Sequence, residues 1–160
     1  MEENTKQEKV SIVVMSGDMD KIMGAFIIAL GATAYDMEVV MFFTFWGLKA
    51  IQKGNLTGKD FFGRMLGLVN RGGIERLNPS KLSFWGMGRW MFKKIMKKHN
   101  VIPLSELLKQ AQELGIKLIA CEMSMDVMGI APEDLIDGVV IDGVGTYIAD
   151  ASESEISLFI

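Results

Sequence analysis

KVSIVVMSGD, residues Lys9–Asp18, is the stretch that decides the fold. Its short β-branched run ends at Ser16-Gly17-Asp18, which predicts a buried strand followed by a turn. Asp18 is a suitable N-cap for a helix in which apolar residues recur at helical spacing from Met23 to Ala34. MEVVMFFTF (Met37–Phe45) is a second strand, apolar on both faces as in a central parallel strand. Two strands joined by such a helix form a right-handed βαβ unit.

The same alternation of helices and strands returns in the second half of the chain. It predicts a helix from Pro103 to Leu114, the strand IKLIAC (Ile116–Cys121), a short helix to Gly129, the strand Val139–Ile141, a helix over Val144–Ala151 and a final strand within Ser154–Ile160. We therefore expect a three-layer, doubly wound α/β fold with a mainly parallel five-stranded sheet. It forms a single domain over residues 1–160, with residues 1–8 as a flexible N-terminus.

Residues 46–103 interrupt this pattern and are predicted to be a helical, basic insertion. Residues 59–98 carry ten basic side chains against Asp60 and Glu75, a local net charge of +8. The formal charge of the whole chain is −3, so the remaining residues carry −11. The charge of the protein is therefore strongly divided between two parts of the chain.

Composition excludes several classes of protein. A single cysteine rules out an intramolecular disulfide framework and a metal site built from cysteines alone. The N-terminal MEENTKQEKV has no apolar core of a signal peptide, and no apolar run reaches the length of a membrane-spanning helix. No phosphate-binding or dinucleotide-binding glycine motif is present, and His99 alone cannot support histidine-dependent hydrolysis. We expect a cytoplasmic protein without a cofactor or a bound metal.

The candidate functional residues lie in loops that follow predicted strands, because ligands of open parallel sheets sit beyond the carboxyl ends of the strands. Cys121 is the candidate catalytic residue. The residues proposed for substrate or anion binding are Ser16, Gly17 and Asp18 after the first strand, Thr44 after the second, Ser124 after the third, and Gly143, Gly145 and Thr146 after the fourth. Ser16-Gly17-Asp18 is more simply explained as a turn and helix cap, and one Gly-x-Gly is a weak signal for an anion site.

Cys121 has two interpretations on position alone. It immediately precedes a predicted helix, whose N-terminus favours a thiolate, while the neighbouring carboxylate of Glu122 opposes it. In the functional interpretation the thiol has a lowered pKa and reacts. In the structural one it is a packed core residue, as cysteines often are.

The segment IACEMSMDVMGI (Ile119–Ile130), followed by PEDLIDGVVIDGVGTYI, resembles the DsrE/DsrF-like (DsrEFH-like) sulfur-relay family. The match is to the branch with a cysteine before SMDxMG, and TFWGL (Thr44–Leu48) fits the same branch. The resemblance implies a flavodoxin-like fold, homo- or hetero-oligomers, and sulfur exchanged with TusA-like or rhodanese-like carriers. It also implies that Cys121 takes up sulfur as a persulfide.

A single cysteine suits this chemistry, because sulfane sulfur leaves a persulfide by attack of a thiol on another protein. The first functional hypothesis is therefore a persulfide-carrying sulfur-relay protein, a possible sulfurtransferase. The second is a non-catalytic adaptor or ligand-binding module that docks a thiol-redox enzyme or a membrane surface. Native labelling of the thiol distinguishes the two.

The helix predicted at FWGMGRWMFKKIMKK (Phe84–Lys98) is amphipathic. It is predicted to place Phe84, Trp85, Met91, Phe92, Ile95 and Met96 on one side, and Arg89, Lys93 and Lys97 on the other. The simplest interpretation is a helix packed on the domain with a solvated basic face. Among functional ones, contact within a homo-oligomer or with a partner ranks first, and peripheral membrane contact through residues 84–98 ranks second. A pI near 5.2 argues against nucleic-acid binding.

Overall fold

The computed structural model describes residues 7–54, 59, 61–69, 71–81 and 86–160, apart from the side chains of Leu66 and Val69. Within these ranges the strands are β1 (Lys9–Val14), β2 (Glu38–Phe43), β3 (Lys117–Cys121), β4 (Val139–Asp142) and β5 (Ile156–Phe159). They form one sheet in the order β4-β3-β2-β1-β5, and every neighbouring pair is parallel. The predicted five-stranded parallel sheet is confirmed.

Helices cover both faces of the sheet. In the described residues they are α1 (Met19–Thr33), α2 (Phe61–Val69), α3 (Met87–Lys98), α4 (Leu104–Glu113), α5 (Glu122–Met128) and α6 (Val144–Ser152). The chain adds β2, β3 and β4 in one direction from β1 and then returns to place β5 on the other side. Because parallel crossovers are right-handed, this reversal puts α6 on the face opposite α1, α4 and α5. The fold is therefore doubly wound, as predicted.

Two hydrophobic cores follow from this arrangement. The larger core joins α1, α4 and α5 to alternate residues of the central strands, including Ile12, Met41 and Leu118. The smaller core lies beneath α6 and contains Val13, Val40, Phe42, Ile119, Cys121 and Tyr147. The rings of Phe42 and Tyr147 stack with centroids 5.0 Å apart and so join α6 to the sheet.

A charged network attaches the C-terminal end of α6 to the amino ends of two strands. The carboxylate of Asp150 accepts hydrogen bonds from Lys9 at 3.1 Å and from Lys117 at 2.9 Å. Burial alone would raise the pKa of Asp150, but the hydrogen bonds from Lys117 and Lys9 and their charges hold it below its usual value. Burial likewise acts to lower the pKa of Lys9, and its contacts with Asp150, Glu38 and Glu153 outweigh this and raise it.

The predicted insertion is helical in its described parts. It holds 3₁₀ segments at Phe45–Ile51 and Ile74–Arg76, together with α2 and α3. The apolar residues of α3 are only partly covered: Phe92 and Met96 pack against the larger core, whereas Met91 and Ile95 remain exposed. Phe84 and Trp85 lie outside the described residues. None of the helices described is both long and apolar enough to cross a membrane.

Candidate functional site

The candidate residues lie at the carboxyl edge of the sheet, where successive strands end side by side. The register that pairs Phe43 with Ala120 brings Thr44 next to Cys121, and Asp142 is the partner of Cys121 on β4. The hydroxyl groups of Thr44 and Ser124 are buried and share a hydrogen bond of 2.7 Å. The structure therefore brings Thr44, Cys121 and Ser124 together, as the strand-end rule predicts.

Cys121 is buried at this edge. Only 3% of its surface is exposed, and it packs in the smaller core with Phe42, Ile119 and Tyr147. Its backbone occupies the N-cap position of α5, which begins at Glu122 and has only seven residues. The predicted position at the end of a strand and before a helix is confirmed. A thiol in this place is covered by α6, so any reaction with another protein needs that cover to open.

The loop after β4 contains a carboxylate of the protein itself, that of Asp142. The carboxylate of Asp142 accepts the backbone N–H of Gly143 at 2.7 Å. That hydrogen bond, together with one from the hydroxyl of Thr146, holds the pKa of Asp142 below its usual range against a small opposing effect of burial. An anion at Gly143, Gly145 and Thr146 would therefore compete with this carboxylate for the same donors.

The loop after β1 is a tight, hydrogen-bonded turn. The hydroxyl of Ser16 donates to the carboxylate of Asp18 at 3.0 Å and accepts the Asp18 backbone N–H at 3.1 Å. Asp18 occupies the N-cap position of α1 as predicted, but its side chain makes no capping bond and pairs instead with Lys21 at 3.1 Å. A Cβ on Gly17 would lie 2.7 Å from the carbonyl oxygen of Trp46, so the close approach of the two loops requires glycine.

Beside this turn lies an open cavity of about 410 Å³ at the end of β1. Ser16, Gly17 and Asp18 form one wall, and the 3₁₀ segment Phe45–Ile51 forms another through Trp46 and Lys49. The segment is held across the sheet edge by Gly47, whose N–H donates to the carbonyl of Met15 at 2.9 Å. A Cβ at Gly47 would lie 2.0 Å from the carbonyl oxygen of Val14. Arg76, Leu77, Asn78, Pro79 and Ser80 complete the lining.

Lys49 is the residue that the sequence analysis missed. It is 4% exposed although it carries a charge, and burial lowers its pKa while the charge of Asp134 acts in the opposite direction. Within the described part of the chain, its ammonium group makes no hydrogen bond and no ion pair. The available signal was weak, since a single lysine in the apolar run FWGLKAI resembles an ordinary solvated lysine.

Comparison with known proteins points to the same protein family as the sequence motifs. The sequence matches the DsrE/DsrF/DrsH-like family over residues 6–159. It is 47% identical over 162 residues to the uncharacterized protein YrkE of Bacillus subtilis, with 100% of both chains covered. It is 32% identical over 169 residues to the sulfur carrier protein DsrE2 of Allochromatium vinosum, covering 97% of this chain and 99% of that protein.

The fold is also shared with a solved structure. The crystal structure of the ychN protein from E. coli superposes with a TM-score of 0.57 over 96% of this chain and 100% of that chain. At 12% identity this similarity concerns the fold alone. The family match, in contrast, spans nearly the whole sequence and includes the segment around Cys121. This chain belongs to the DsrE/DsrF/DrsH-like family.

Proposed function

We propose that this protein acts in sulfur relay and carries sulfane sulfur as a persulfide on Cys121. A general role in sulfur relay is supported by the family match and by the 32% identity to a protein named as a sulfur carrier. The observation that carries the finer proposal is the position of the chain's sole cysteine, which ends β3 at the carboxyl edge beside the Thr44–Ser124 hydrogen bond. Ligands of open parallel sheets bind at this edge.

The proposed step exchanges one sulfur–sulfur bond for another. The Cys121 thiol loses its proton to solvent, and the thiolate attacks the outer sulfur of a donor persulfide. A bond forms between Sγ and that sulfur as the donor's sulfur–sulfur bond breaks, and the donor leaves as a thiolate with the electron pair. There is no net oxidation or reduction. The reverse exchange, with the thiol of an acceptor as the nucleophile, regenerates Cys121.

Access to the thiol is part of the proposal. Tyr147 of α6 covers the smaller core and is itself held by stacking on Phe42. Sulfur exchange therefore needs α6 to move away from Cys121, either spontaneously or when a partner binds. TusA-like and rhodanese-like carriers, which present small reactive sulfur groups, are the proposed partners.

Intact mass spectrometry tests the proposal. After incubation with polysulfide, or with thiosulfate and a rhodanese, we expect a gain of about 32 Da that dithiothreitol reverses. Cys121→Ser removes the only thiol and must remove the gain. Tyr147→Ala should speed the reaction by opening the cover, whereas Tyr35→Ala, at a residue that is 85% exposed, should leave the rate unchanged. A wild-type protein that gains no sulfur from either donor, or a gain that persists in Cys121→Ser, contradicts the proposal.

The burial of Cys121 favours one alternative, a non-catalytic adaptor or ligand-binding module in which the cysteine only packs. The two functions differ in the reactivity of the native thiol. Labelling of the folded protein near neutral pH supports the relay function. Labelling that occurs only in denaturant, together with no sulfur uptake, supports the adaptor.

A further inference from the structure

We propose that the cavity at the end of β1 is a binding site for a small tetrahedral oxoanion, held by Lys49 and Arg76. This site is separate from Cys121, which does not line the cavity. The inference goes beyond the sulfur-relay proposal and does not depend on it. It rests on a buried cation that has no hydrogen-bond or ion-pair partner among the described residues, a second cation on the same cavity, and neutral side chains with N–H groups in the lining.

The buried ammonium of Lys49 is the first part of the argument. Taking a charged group out of water is costly unless the group finds hydrogen-bond partners. Lys49 lies almost entirely below the surface and still lines the cavity, and no described residue accepts a hydrogen bond from it. The carboxylate of Asp134 acts on it through its charge but forms no ion pair with it. Three N–H donors are therefore available to a ligand in the cavity.

Arg76 supplies the second positive charge. One of its guanidinium nitrogens, Nη1, donates to the carbonyl of Gly54 at 3.0 Å, which holds the side chain at the cavity wall. A guanidinium has five N–H donors, so others remain for the ligand. Its planar fork fits two oxygens of a sulfate-like or phosphate-like group. Lys49 and Arg76 together favour an oxoanion over a neutral molecule.

The remaining lining fits an anion as well. Among the described residues of the lining, Asp18 is the only one with a carboxylate, and this group pairs with Lys21 and accepts the Ser16 hydroxyl. Asn78 and Trp46 also line the cavity, and each has a neutral side chain that carries an N–H donor. A volume of about 410 Å³ exceeds what one inorganic oxoanion fills, and leaves room for water or a small substituent.

Calorimetric titration of the full chain tests the site. The probes are inorganic sulfate, thiosulfate and phosphate, each compared with chloride at equal ionic strength to remove general screening. We expect saturable binding of at least one oxoanion and none of chloride. Lys49→Met should weaken binding about tenfold or more, as expected for loss of a charged hydrogen-bond donor, and Arg76→Gln should weaken it less. Tighter binding of thiosulfate than of sulfate would identify a sulfane-bearing ligand. Equal affinities for the two would show that the site recognises the oxoanion alone.

Two controls separate this inference from simpler outcomes. Lys53→Met removes an exposed lysine that pairs with Asp137 and does not line the cavity, so its binding should equal that of the wild type. Cys121→Ser should also bind normally, which keeps the result independent of the relay proposal. If Lys49→Met does not fold, as judged by circular dichroism, the surface variant Arg76→Gln decides. Wild-type affinity in Arg76→Gln and in a folded Lys49→Met, or no saturable binding of any probe, overturns the inference.

Discussion

At the scale of single residues, one buried pair of hydroxyl groups holds the site edge together. Thr44 follows β2 and Ser124 lies in α5, and their hydroxyl oxygens are 2.7 Å apart in a buried part of the protein. The bond therefore ties the helix after Cys121 to the neighbouring strand. A buried hydroxyl that loses its partner keeps its desolvation cost, so each group depends on the other.

Removing either hydroxyl should destabilise the protein, and removing both should cost less than the sum. We expect Ser124→Ala and Thr44→Val each to lower the free energy of unfolding by about 1–2 kcal/mol. Urea denaturation of both single variants and the double variant measures the coupling. Ser152→Ala is the control, because its exposed hydroxyl bonds only to a carbonyl of its own helix and should change stability by less than about 0.5 kcal/mol. Strict additivity of the two substitutions would show that the bond contributes nothing.

Single residues also show what the sequence reveals and what it does not. The place of Cys121 at the end of β3 was predictable, because the apolar run before it and the helix after it are local signals. The packing of Tyr147 in the same core as Cys121 was not predictable from local sequence. Tyr147 belongs to α6, and α6 lies on that face of the sheet only because the strand order reverses after β4. The burial of Lys49 was equally hard to predict from the sequence. Its burial depends on a 3₁₀ segment that crosses the sheet edge, and no local sequence pattern predicts this path of the chain.

At the scale of elements, α6 packs on the face of the sheet opposite α1, α4 and α5, and different forces attach its two ends. Near its start, Tyr147 stacks on Phe42 in the smaller core. Near its end, Asp150 joins Lys9 of β1 to Lys117 of β3. The side chains of Asp150 and Lys9 are largely shielded from water, and breaking such a pair leaves a charge without its partner.

Asp150→Asn should destabilise α6 and the whole fold by about 1–3 kcal/mol near pH 7. The pKa of Asp150 is lower in the folded protein than its ordinary value of 3.8. Its contribution is therefore fully present above that ordinary value, and is lost as the pH falls through it toward the folded pKa. The difference between wild type and variant should shrink in urea denaturations from about pH 7 toward pH 3. Glu153→Gln removes an exposed contact with Lys9, 3.6 Å away, and should cost less than about 1 kcal/mol. A constant difference across this pH range would contradict the assigned role.

Elements were predicted well wherever local pattern and tertiary packing agree. The runs Lys9–Met15 and Ile116–Cys121 became strands within a residue of their predicted ends, because both are buried on two faces. The packing of α3 was less predictable than its periodicity. Among the described residues of the predicted apolar side, only Phe92 and Met96 pack against the larger core, and Met91 and Ile95 stay exposed. Which part of an apolar stripe is buried depends on the partner surface, and this information lies elsewhere in the chain.

At the scale of the whole molecule, α2 and α3 present unusually apolar surfaces. Both helices belong to the basic part of the chain, while the remainder carries a net charge of −11. Among the described side chains of the two helices, the exposed large apolar ones are Phe61, Phe62, Met65 and Leu68 in α2, and Met87, Trp90, Met91 and Ile95 in α3. Patches of this kind mark contact surfaces rather than ordinary solvated ones. A symmetric oligomer would cover them and bring basic and acidic parts of neighbouring copies together.

We therefore expect this chain to form homo-oligomers through α2 and α3. Light scattering at moderate salt should give a multiple of the 17.7 kDa chain mass. The paired substitution Trp90→Glu and Ile95→Glu places two charges at exposed positions of α3 that do not belong to the larger core. It should shift the mass to that of a monomer while thermal unfolding stays cooperative, because a charge buried in an interface without a partner opposes association. Tyr35→Glu makes a similar change at an 85% exposed aromatic residue outside both helices and should leave the mass unchanged.

Flotation with anionic liposomes separates this prediction from membrane contact, because an apolar helix face next to lysines suits both surfaces. Oligomers that do not float, and that dissociate in the Trp90→Glu and Ile95→Glu variant, agree with contact between copies. A wild-type monomer that floats, and stops floating in the same variant, would contradict the oligomer and favour peripheral membrane contact through α3. A monomer that does not float would leave α3 as a helix packed on the domain through residues such as Phe92 and Met96, with Lys94 over the ring of Trp90 as part of a solvated outer face.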